Sequence, residues 1–431
     1  MTAGDIRLLL DPDAMRRRLE AIPVFAEGLG RLASVSFERL WAKPGRHFHV
    51  SYRVTVERDD ESAEMLASAG LMRPDETAAD LFAAALGVPK PTRLAHAGCW
   101  WSASLSTAVI ETPPALVQLF PWDRRLPTLA LAFDPSSLES EASLPSIHAC
   151  TLAGYWPGIR CNVRYECGAE RRVLYGKVLP AGTVTTAAAL QTAVSRAVDG
   201  VDALSVPRMY GQVSRLNLLL TEPVDGVPLQ GGLRRRKDVL ARVATALAAF
   251  HGVHVPLVER RFGPRDDLAV VEPWVSLVTA VFPPLAGIFE VRLADLQEAA
   301  PGDDPRRATL VHRDFYDKQV LVTGARIGLL DLDTVCLGDA EIDVANFCAH
   351  LRLRELQKDG SAAAAISLVQ HFIAAYVACR TATDPNRVRW YQASALLRLA
   401  CLYALRPAWH ALAPRMLEES RKALYGRDDD V

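Results

Sequence analysis

Two spacings of apolar residues run along this chain and predict strands in its first half and helices towards its end. Residues 171–179 alternate in a way that is typical of a strand, and alternation places Val173, Tyr175, Lys177 and Leu179 on one face. An arbitrary strand lysine most often extends its ammonium group to the rim of the sheet. A lysine on an otherwise apolar face is nevertheless unusual, and Lys177 is therefore a candidate functional residue.

Helical spacing dominates the later part of the chain. Between residues 238 and 251, Val239, Val243, Leu247 and Phe250 recur at three- and four-residue intervals, which predicts a helix with one buried face. The histidine at its end, His251, is predicted to pack in the core. The same spacing predicts three more helices, at residues 362–379, 386–405 and 411–424.

A short echo links two other segments. Residues 43–54 and 156–167 both begin with a Pro-Gly turn and continue as a strand, and they share a valine and a tyrosine. One short echo is far from a sustained repeat. Two ordinary hairpins with similar turns and a second copy of one functional hairpin both remain open, and the first is favoured.

The segment with the clearest chemistry is residues 310–333. It consists of a polar loop and two short apolar strands, joined by a turn at residues 323–326. If the strands pair as a hairpin, we expect Gln319 to lie opposite Asp331, with Cα atoms roughly 4.5–5.5 Å apart. Both side chains could then reach one hard cation, while Asp314 meets a substrate hydroxyl. Asp314 after an arginine could also be a solvated surface pair. Asp331, however, ends a strand that should be mostly buried, and a carboxylate there is costly unless it is paired or binds metal.

His312-x-Asp314-x4-Gln319, followed by Asp331 and by a Gly-Asp stretch at residues 338–346, resembles the aminoglycoside phosphotransferase/choline kinase-like family of the protein-kinase-like superfamily. The glutamine is similar to that of maltokinase-type sugar kinases. The resemblance implies that Asp314 is the catalytic base and that Gln319 and Asp331 hold Mg²⁺. Asp333 is either a second metal ligand or the cap of the next turn.

The resemblance also implies a nucleotide site. Residues 155–165 are similar to the hairpin that covers the nucleotide, Lys177 to the lysine that holds its phosphates, and residues 218–226 to the hinge that holds adenine. Pro223 lacks an N–H group, so Val224 is expected to replace it. The implied nucleotide-binding residues are Lys177, Gly158, Arg160, Thr221, Glu222 and Val224.

Two further expectations follow from the family. The acceptor is expected to meet Tyr316, Asp317 and Arg406. The helix after Lys177, around residues 185–198, contains no glutamate to pair with that lysine. Either Gln191 replaces it, or the carboxylate comes from elsewhere, or the site is degenerate and the protein is a non-catalytic pseudokinase that binds nucleotide or acts as a scaffold.

Composition narrows the other possibilities. A formal net charge of −1 over 431 residues argues against a nucleic-acid partner. No apolar run approaches the roughly 18 residues of a membrane span, and no signal peptide is recognisable, so we expect a cytoplasmic protein without a membrane partner. The eight cysteines form no C-x-x-C pair, which gives no indication of a zinc site. The oligomeric state cannot be predicted.

Together these patterns predict an α+β protein with a two-lobed protein-kinase-like fold and an additional N-terminal α+β region. The predicted parts are an N-terminal extension (1–140), a β-rich N-lobe (141–222) and a helical C-lobe (223–431). The predicted reaction is ATP- and Mg²⁺-dependent transfer of the γ-phosphoryl group to a hydroxyl of a small molecule such as a sugar, an aminoglycoside or an amino alcohol. A metal-dependent hydrolase built on Asp331 and Asp333 would leave Lys177 unexplained.

Overall fold

The computed structural model describes residues 2–58, 61–87, 101–141, 144–358 and 362–426. The chain forms two compact units. The first comprises Met1–Ala188 and Met209–Pro223, and the second comprises Ala189–Arg208 and Val224–Val431. The first unit therefore contains the predicted N-terminal extension and most of the predicted N-lobe, and the chain finally leaves it within the predicted hinge.

The N-terminal part of the first unit is built on an antiparallel sheet with the order β1-β2-β3-β5-β4. Its strands are β1 (Arg31–Lys43), β2 (His47–Arg58), β3 (Glu61–Leu71), β4 (Thr107–Glu111) and β5 (Pro114–Leu119). The helices of this part are α1 (Ala3–Leu10), α2 (Pro12–Leu19), α3 (Pro23–Ala26) and α4 (Ala78–Leu86). The buried Tyr52 of β2 donates its hydroxyl hydrogen to the carbonyl of Leu9 (2.6 Å), which ties α1 to the sheet.

A second antiparallel sheet follows helix α5 (Pro135–Glu141), with the order β10-β11-β8-β7-β6. Its strands are β6 (Ile147–Trp156), β7 (Arg160–Cys167), β8 (Arg172–Val178), β10 (Met209–Val213) and β11 (Leu218–Thr221). Between β8 and β10 the chain forms α6 (Val184–Val198) and β9 (Leu204–Ser205), which lead into the second unit. Alternate residues of β7 and β8 pack with Phe120 and Phe133 in one core, so the intervening residues face the other side of the sheet.

Both predicted Pro-Gly hairpins are confirmed. One joins β1 to β2, where Lys43 pairs with His47, and the other joins β6 to β7, where Trp156 pairs with Arg160. The turn glycines Gly45 and Gly158 have φ angles of +76° and +70°, a region that glycine enters without steric cost.

The second unit is mainly helical. Its longer helices are α7 (Lys237–Phe250), α8 (Pro264–Val281), α9 (Ala286–Glu298), α10 (Glu341–Leu356), α11 (Ala362–Cys379), α12 (Pro385–Ala404) and α13 (Ala413–Tyr425). Two small sheets accompany them, with the orders β12-β15-β16-β9 and β13-β17-β14. Their remaining strands are β12 (Val227–Pro228), β13 (Arg261–Phe262), β14 (Thr309–Val311), β15 (Val320–Val322), β16 (Ile327–Leu329) and β17 (Cys336–Gly338).

The helices predicted from apolar spacing are confirmed as α7, α11, α12 and α13. Helix α12 begins at a capped N-terminus. The side chain of Asp384 accepts a hydrogen bond from the amide of Asn386 (2.9 Å), and Pro385 occupies the first helical position. Together with the antiparallel sheets, these helices confirm the predicted α+β class. None of the described helices combines the length and apolar character that crossing a bilayer requires.

Helix α10 lies in the middle of the second unit and is buried along most of its length. It carries several buried polar side chains, among them Asp343, Asn346 and His350. Buried polar groups must find hydrogen-bond partners. The partners of Asp343 and Asn346 lie in the loop after β14, and this is what gives the site its shape.

Candidate active site

A carboxylate of α10 holds the backbone of the loop that carries Asp314. Oδ2 of Asp343 accepts from the amide of His312 (2.6 Å), and Oδ1 accepts from the amide of Arg313 (2.7 Å). Arg313 has φ +65°, a left-handed conformation that costs energy in a residue with a side chain. Two charge-assisted hydrogen bonds stabilise it. The side-chain amide of Asn346 donates a further hydrogen bond to the carbonyl of Phe315 (2.9 Å), so α10 fixes the loop on both sides of Asp314.

Asp343 is itself oriented by a buried histidine. Nε2 of His251, at the end of α7, lies 3.0 Å from Oδ2 of Asp343, and Nδ1 lies 2.6 Å from the hydroxyl of Tyr376. Since a carboxylate only accepts, Nε2 carries the hydrogen and the Tyr376 hydroxyl donates to Nδ1. Burial raises the pKa of Tyr376, which keeps this donor protonated. His251 is buried as predicted, and it also links α7 and α11 to the loop.

His312 connects the loop to the strand that precedes Asp331. Its ring is fully buried, with Nε2 2.8 Å from the carbonyl of Leu330, and Nδ1 accepts from the amide of Asp314 (3.3 Å). A single neutral tautomer, with its hydrogen on Nε2, satisfies both contacts. The His312 ring therefore connects the backbone of Asp314 with that of Leu330, the residue before Asp331.

The hairpin after this loop is confirmed, but its expected register is wrong by one residue. Strands β15 and β16 pair Val320 with Leu329 and Val322 with Ile327, so Gln319 lies opposite Leu330, whose amide donates to its carbonyl (2.9 Å). The four-residue turn was assigned correctly. The pair of Val322 with Ile327 beside this turn fixes the register and places Gln319 opposite Leu330, so Asp331 lies one residue beyond the expected pair, at the start of a 3₁₀ turn.

Asp331 leaves the strand in a left-handed conformation, with φ +61°. Aspartate tolerates this region better than most residues, but at a strand end it points to a constraint on the side chain. Asp331 and Gln319 offer oxygen ligands, the type that Mg²⁺ prefers, and Asp333 is exposed in the next turn. The described residues contain no cluster of three or more His, Cys, Asp or Glu that could hold a metal alone. The metal-binding roles of Gln319, Asp331 and Asp333 stay a prediction.

Tyr316 lies near three carboxylates. Burial, and after it the charges of Asp314, Asp317 and Asp331, raise the pKa of Tyr316 to about 12. Its ring is stacked on that of His350, with centroids 4.3 Å apart. Tyr316 is therefore a neutral, rigidly placed phenol beside Asp314 and Asp331.

Two of the predicted acceptor-binding residues have internal partners. Asp317 is buried and forms ion pairs with Arg234 (2.6 Å) and Arg354 (3.0 Å). Burial opposes its charge, but the hydrogen bonds and charges of these arginines lower the pKa of Asp317 below its usual value. Arg406 lies over the ring of Tyr403, 4.6 Å from its centroid. Contact of either residue with an acceptor stays a prediction, and Asp317 already anchors the loop.

A cavity of about 170 Å³ opens beside Asp314 within the second unit. Sequence patterns had not identified it, because its walls come from five separate segments. Phe262 and Asp267 lie near the start of α8, and Tyr391 and Arg398 belong to α12. The guanidinium of Arg313 covers the ring of Phe262 at 3.7 Å. Asp314 thus lies at a small open cavity whose lining includes charged side chains.

In the first unit, Lys177 lies opposite Asn162 in the β7–β8 ladder. Its neighbours Leu174 and Val178 point into the core, so Lys177 is on the other, half-buried face. The face that the sequence suggested to be apolar is therefore not the core face. The ammonium group of Lys177 therefore does not have to be buried in the core, and its phosphate-binding role stays a prediction.

The other nucleotide candidates of the first unit have contacts of their own. The amide of Gly158 donates to Asp123 (2.7 Å), and a Cβ there would meet Cδ of Arg125 at 3.1 Å. Arg160 lies over the ring of Trp156, 4.5 Å from its centroid. Their nucleotide-binding roles stay predictions, and the φ angle of +70° at Gly158 already favours glycine there.

The hinge candidates divide between the two units. Thr221 pairs with Tyr175 in the β8–β11 ladder, and Glu222 forms an ion pair with Arg172. Val224 belongs to the second unit, where its side chain packs against Gly328 of β16. In α6, the side-chain amide of Gln191, one of the three alternatives for the missing glutamate, donates to the carbonyl of Pro207 (2.5 Å).

Comparison with known proteins decides the family. The family model described as APH: Phosphotransferase enzyme family matches residues 162–391, just over half of the chain. The chain belongs to this phosphotransferase enzyme family. The predicted family and the predicted class of enzyme, a small-molecule kinase with a hydroxyl acceptor, are thereby confirmed. The likeness to maltokinases stays a prediction.

Solved structures agree with the family assignment on the fold. A structure assigned as an aminoglycoside phosphotransferase from Ralstonia eutropha JMP134 has a TM-score of 0.50 and 14% identity, over 67% of this chain and 96% of its own. A choline kinase from Cryptosporidium parvum Iowa II has a TM-score of 0.49 and 12% identity, over 67% and 91%. The first of these confirms the kinase-like fold of this phosphotransferase. No curated protein matches the chain.

The residues of this phosphotransferase that sequence reasoning missed are mostly buried. Asp343 was noticed only as part of a Gly-Asp stretch, and the spacing from Gly338 to Asp343 was the one signal that could have identified it. Tyr376, Asp267 and Arg398 gave no signal, because each lies on a helix whose partners are distant in sequence. The sequence pattern therefore identifies the loop that carries Asp314, whereas the buried residues that hold this loop are identified only by tertiary contacts.

Proposed function

We propose that this phosphotransferase transfers the γ-phosphoryl group of ATP to a hydroxyl of a small molecule, with Asp314 as the base. The observation that supports this most is the fixation of one aspartate. The backbone around Asp314 is held by Asp343, Asn346 and the His312 ring, while its side chain lines a cavity. Phosphoryl transfer depends mainly on positioning and on charge stabilisation, and a rigidly held carboxylate beside an acceptor-sized space meets the first need.

The remaining roles follow the same logic. Asp314 would accept a hydrogen bond from the acceptor hydroxyl and take its proton as the bond to phosphorus forms. Lys177, with Gly158 and Arg160, would hold the phosphates, and backbone groups at Thr221, Glu222 and Val224 would bind adenine. Gln319, Asp331 and Asp333 would hold Mg²⁺, which neutralises phosphate charge. Tyr316, Asp317 and Arg406 would shape the acceptor side.

The test measures ATP consumption with Mg²⁺ against a panel of sugars and amino alcohols, for the wild type and for Asp314→Ala. We expect the variant to lose at least about 100-fold in kcat, because general-base catalysis typically contributes about 10²–10⁴-fold. Its KM for ATP should change little. Full turnover by Asp314→Ala would refute the assignment of the base.

A pseudokinase is the second candidate, and the bond between Gln191 and Pro207 favours it, because that amide is engaged elsewhere. This alternative predicts ATP binding without phosphoryl transfer to any acceptor. Titration calorimetry with ATP, run beside the turnover assay, separates the two candidates.

A further inference from the structure

The cavity beside Asp314 contains a carboxylate that the proposed reaction does not use. Asp267 belongs to the first turn of α8, and its Oδ2 accepts a hydrogen bond from the hydroxyl of Ser394 in α12. Among the described residues this is the hydrogen bond that the Asp267 side chain makes. An ionised carboxylate can accept about four hydrogen bonds, so most of its capacity is left for a ligand.

Burial makes this capacity significant. Burial raises the pKa of Asp267, whereas Ser394 and the charges of Arg398 and Arg313 act in the opposite direction. No arginine comes within ion-pair distance of Asp267 in the described part of the chain. A buried carboxylate is expensive until donors reach it, and a ligand in the cavity would supply them.

Arg398 provides the opposite polarity on the same wall. Its Nη2 donates to Oδ1 of Asn346 (3.1 Å), and Asn346 in turn holds the catalytic loop. A guanidinium has five N–H donors, so the remaining donors of Arg398 can serve a ligand. The cavity lining therefore contains both an acceptor-only group, Asp267, and a donor-only group, Arg398.

The charge and size of the cavity restrict the ligand. Two carboxylates, Asp267 and Asp314, are matched by two guanidinium groups, Arg313 and Arg398, so the lining carries no formal excess of negative charge. A site for a cationic acceptor would need such an excess, because complementary charge gives specificity. The volume of about 170 Å³ also lies below the roughly 300–1,000 Å³ of pockets that enclose drug-sized ligands.

We propose that the acceptor, or the part of it that enters this cavity, is a small uncharged polyhydroxy compound of the sugar or polyol type. Asp267 and Arg398 are its specificity-determining residues and bind hydroxyl groups next to the one that receives phosphate. A hydroxyl both donates and accepts, so it satisfies the carboxylate and the guanidinium together, whereas an ammonium group only donates and faces two arginines. This inference rests on the proposed phosphoryl transfer at Asp314.

The experiment compares kcat/KM for neutral acceptors (glucose, xylose, myo-inositol and maltose) with that for cationic ones (glucosamine, choline and ethanolamine). Glucose and glucosamine form a matched pair that differs by one ammonium group. We expect the best neutral compound to exceed every cation by at least about tenfold. Asp267→Asn should lower kcat/KM for that compound by about 10- to 100-fold, mainly through KM, because it removes hydrogen bonds to a charged group.

Arg398→Gln tests the same idea without relying on the stability of the Asp267 variant. It should raise the ratio of glucosamine to glucose turnover by about tenfold, because one repelling charge is removed. General damage to the fold would lower both rates in parallel and leave the ratio unchanged. Glu290→Gln on α9 and Arg389→Gln on α12 are the matched controls at exposed positions, and neither should change the ratio.

The outcomes separate this inference from the proposed function. Turnover of cations but of no neutral compound, with loss in Asp314→Ala, would overturn the inference and retain the phosphotransferase mechanism. An unchanged ratio in Arg398→Gln, with both rates close to those of the wild type, would remove that residue from specificity. If no compound in the panel is phosphorylated although ATP binds, both proposals fail.

Discussion

At the scale of single residues, a chain of buried hydrogen bonds holds the loop that carries the candidate base, Asp314. Tyr376 donates to His251, His251 donates to Asp343, and Asp343 accepts from two amides of the catalytic loop. With a neutral His251, every contact in this chain joins a donor to an acceptor, and together the contacts hold the loop from the side of α10. This chain of contacts explains how the strained backbone of Arg313 is maintained.

Replacement of Asp343 by asparagine should test this control. The amide presents one accepting oxygen where two amides and an imidazole need three contacts, so we expect the free energy of unfolding to fall by about 1–3 kcal/mol. Because the loop loses its support, kcat should fall at least about tenfold while KM for ATP changes less. Thermal unfolding and steady-state kinetics measure the two effects.

The matched control is Glu341→Gln, which alters another buried carboxylate of α10, one that pairs with Arg307 and accepts from the amide of Asp384 (2.8 Å). It should reduce stability without a comparable loss of kcat. Equal losses of kcat in the two variants would contradict a specific role for Asp343.

His350 should give the stability a pH dependence. Burial, with help from the charge of Arg354, lowers the pKa of His350 to about 3. Between about pH 6.5, the ordinary pKa of histidine, and pH 3, the unfolded chain binds a proton at residue 350 that the folded chain does not. The contribution of the neutral, buried His350 to the free energy of unfolding is therefore complete above pH 6.5 and is lost as the pH falls towards 3. His350→Gln removes it. Compared with the wild type, the variant should be relatively more stable at pH 4.5 than at pH 7, by about 2 kcal/mol.

Urea denaturation at the two pH values measures this difference. His148→Gln, a substitution at an exposed position of the first unit, is the control. A parallel response of the His350 variant and the wild type between pH 4.5 and pH 7 would show that His350 does not remain neutral in the fold.

At the scale of elements, sequence patterns predict what local periodicity specifies and miss what distant partners specify. The stripe of Val239, Val243, Leu247 and Phe250 was sufficient to predict α7, because an amphipathic helix is encoded within its own residues. The β15–β16 hairpin was found from its apolar strands and its turn. Its register at Gln319 was missed by one residue, because apolar alternation indicates the face of a residue but not its cross-strand partner, which the pair of Val322 with Ile327 at the turn sets.

The same hairpin offers a test with two glycines. A Cβ on Gly328 would lie 2.6 Å from Cγ1 of Val224 and 3.1 Å from Cβ of Leu321, whereas a Cβ on Gly324 would meet open space. Gly328→Ala should therefore reduce the free energy of unfolding by about 1–3 kcal/mol through overpacking. It should also raise KM for ATP if Val224 binds adenine as proposed.

Gly324→Ala is the matched control and should be neutral or slightly stabilising. Calorimetric melting and ATP titration of both variants provide the measurement. Similar melting temperatures for the two substitutions would show that the contact with Val224 does not constrain β16.

At the scale of the whole molecule, the groups proposed for the reaction belong to two units. Lys177 lies in the first unit, and Asp314, Gln319 and Asp331 lie in the second. The order of these motifs along the chain was readable from sequence and led to the family that the family model confirmed. The walls of the acceptor cavity were not readable, because Asp267 and Arg398 come together only through the packing of α8 against α12.

The dependence of one reaction on both units predicts strong non-additivity. If Lys177 and Asp314 stabilise the same transition state, the double variant Lys177→Ala/Asp314→Ala should lose little more in kcat/KM than the worse single variant, as is typical of residues that act as one catalytic group. Lys358→Ala, at an exposed position, combined with Asp314→Ala supplies the control and should add nothing. Single and double variants are compared by steady-state kinetics at saturating Mg²⁺. If the two losses multiplied instead, the two residues would act in independent steps, and Lys177 would be reassigned from the phosphoryl-transfer site to a separate role in the first unit.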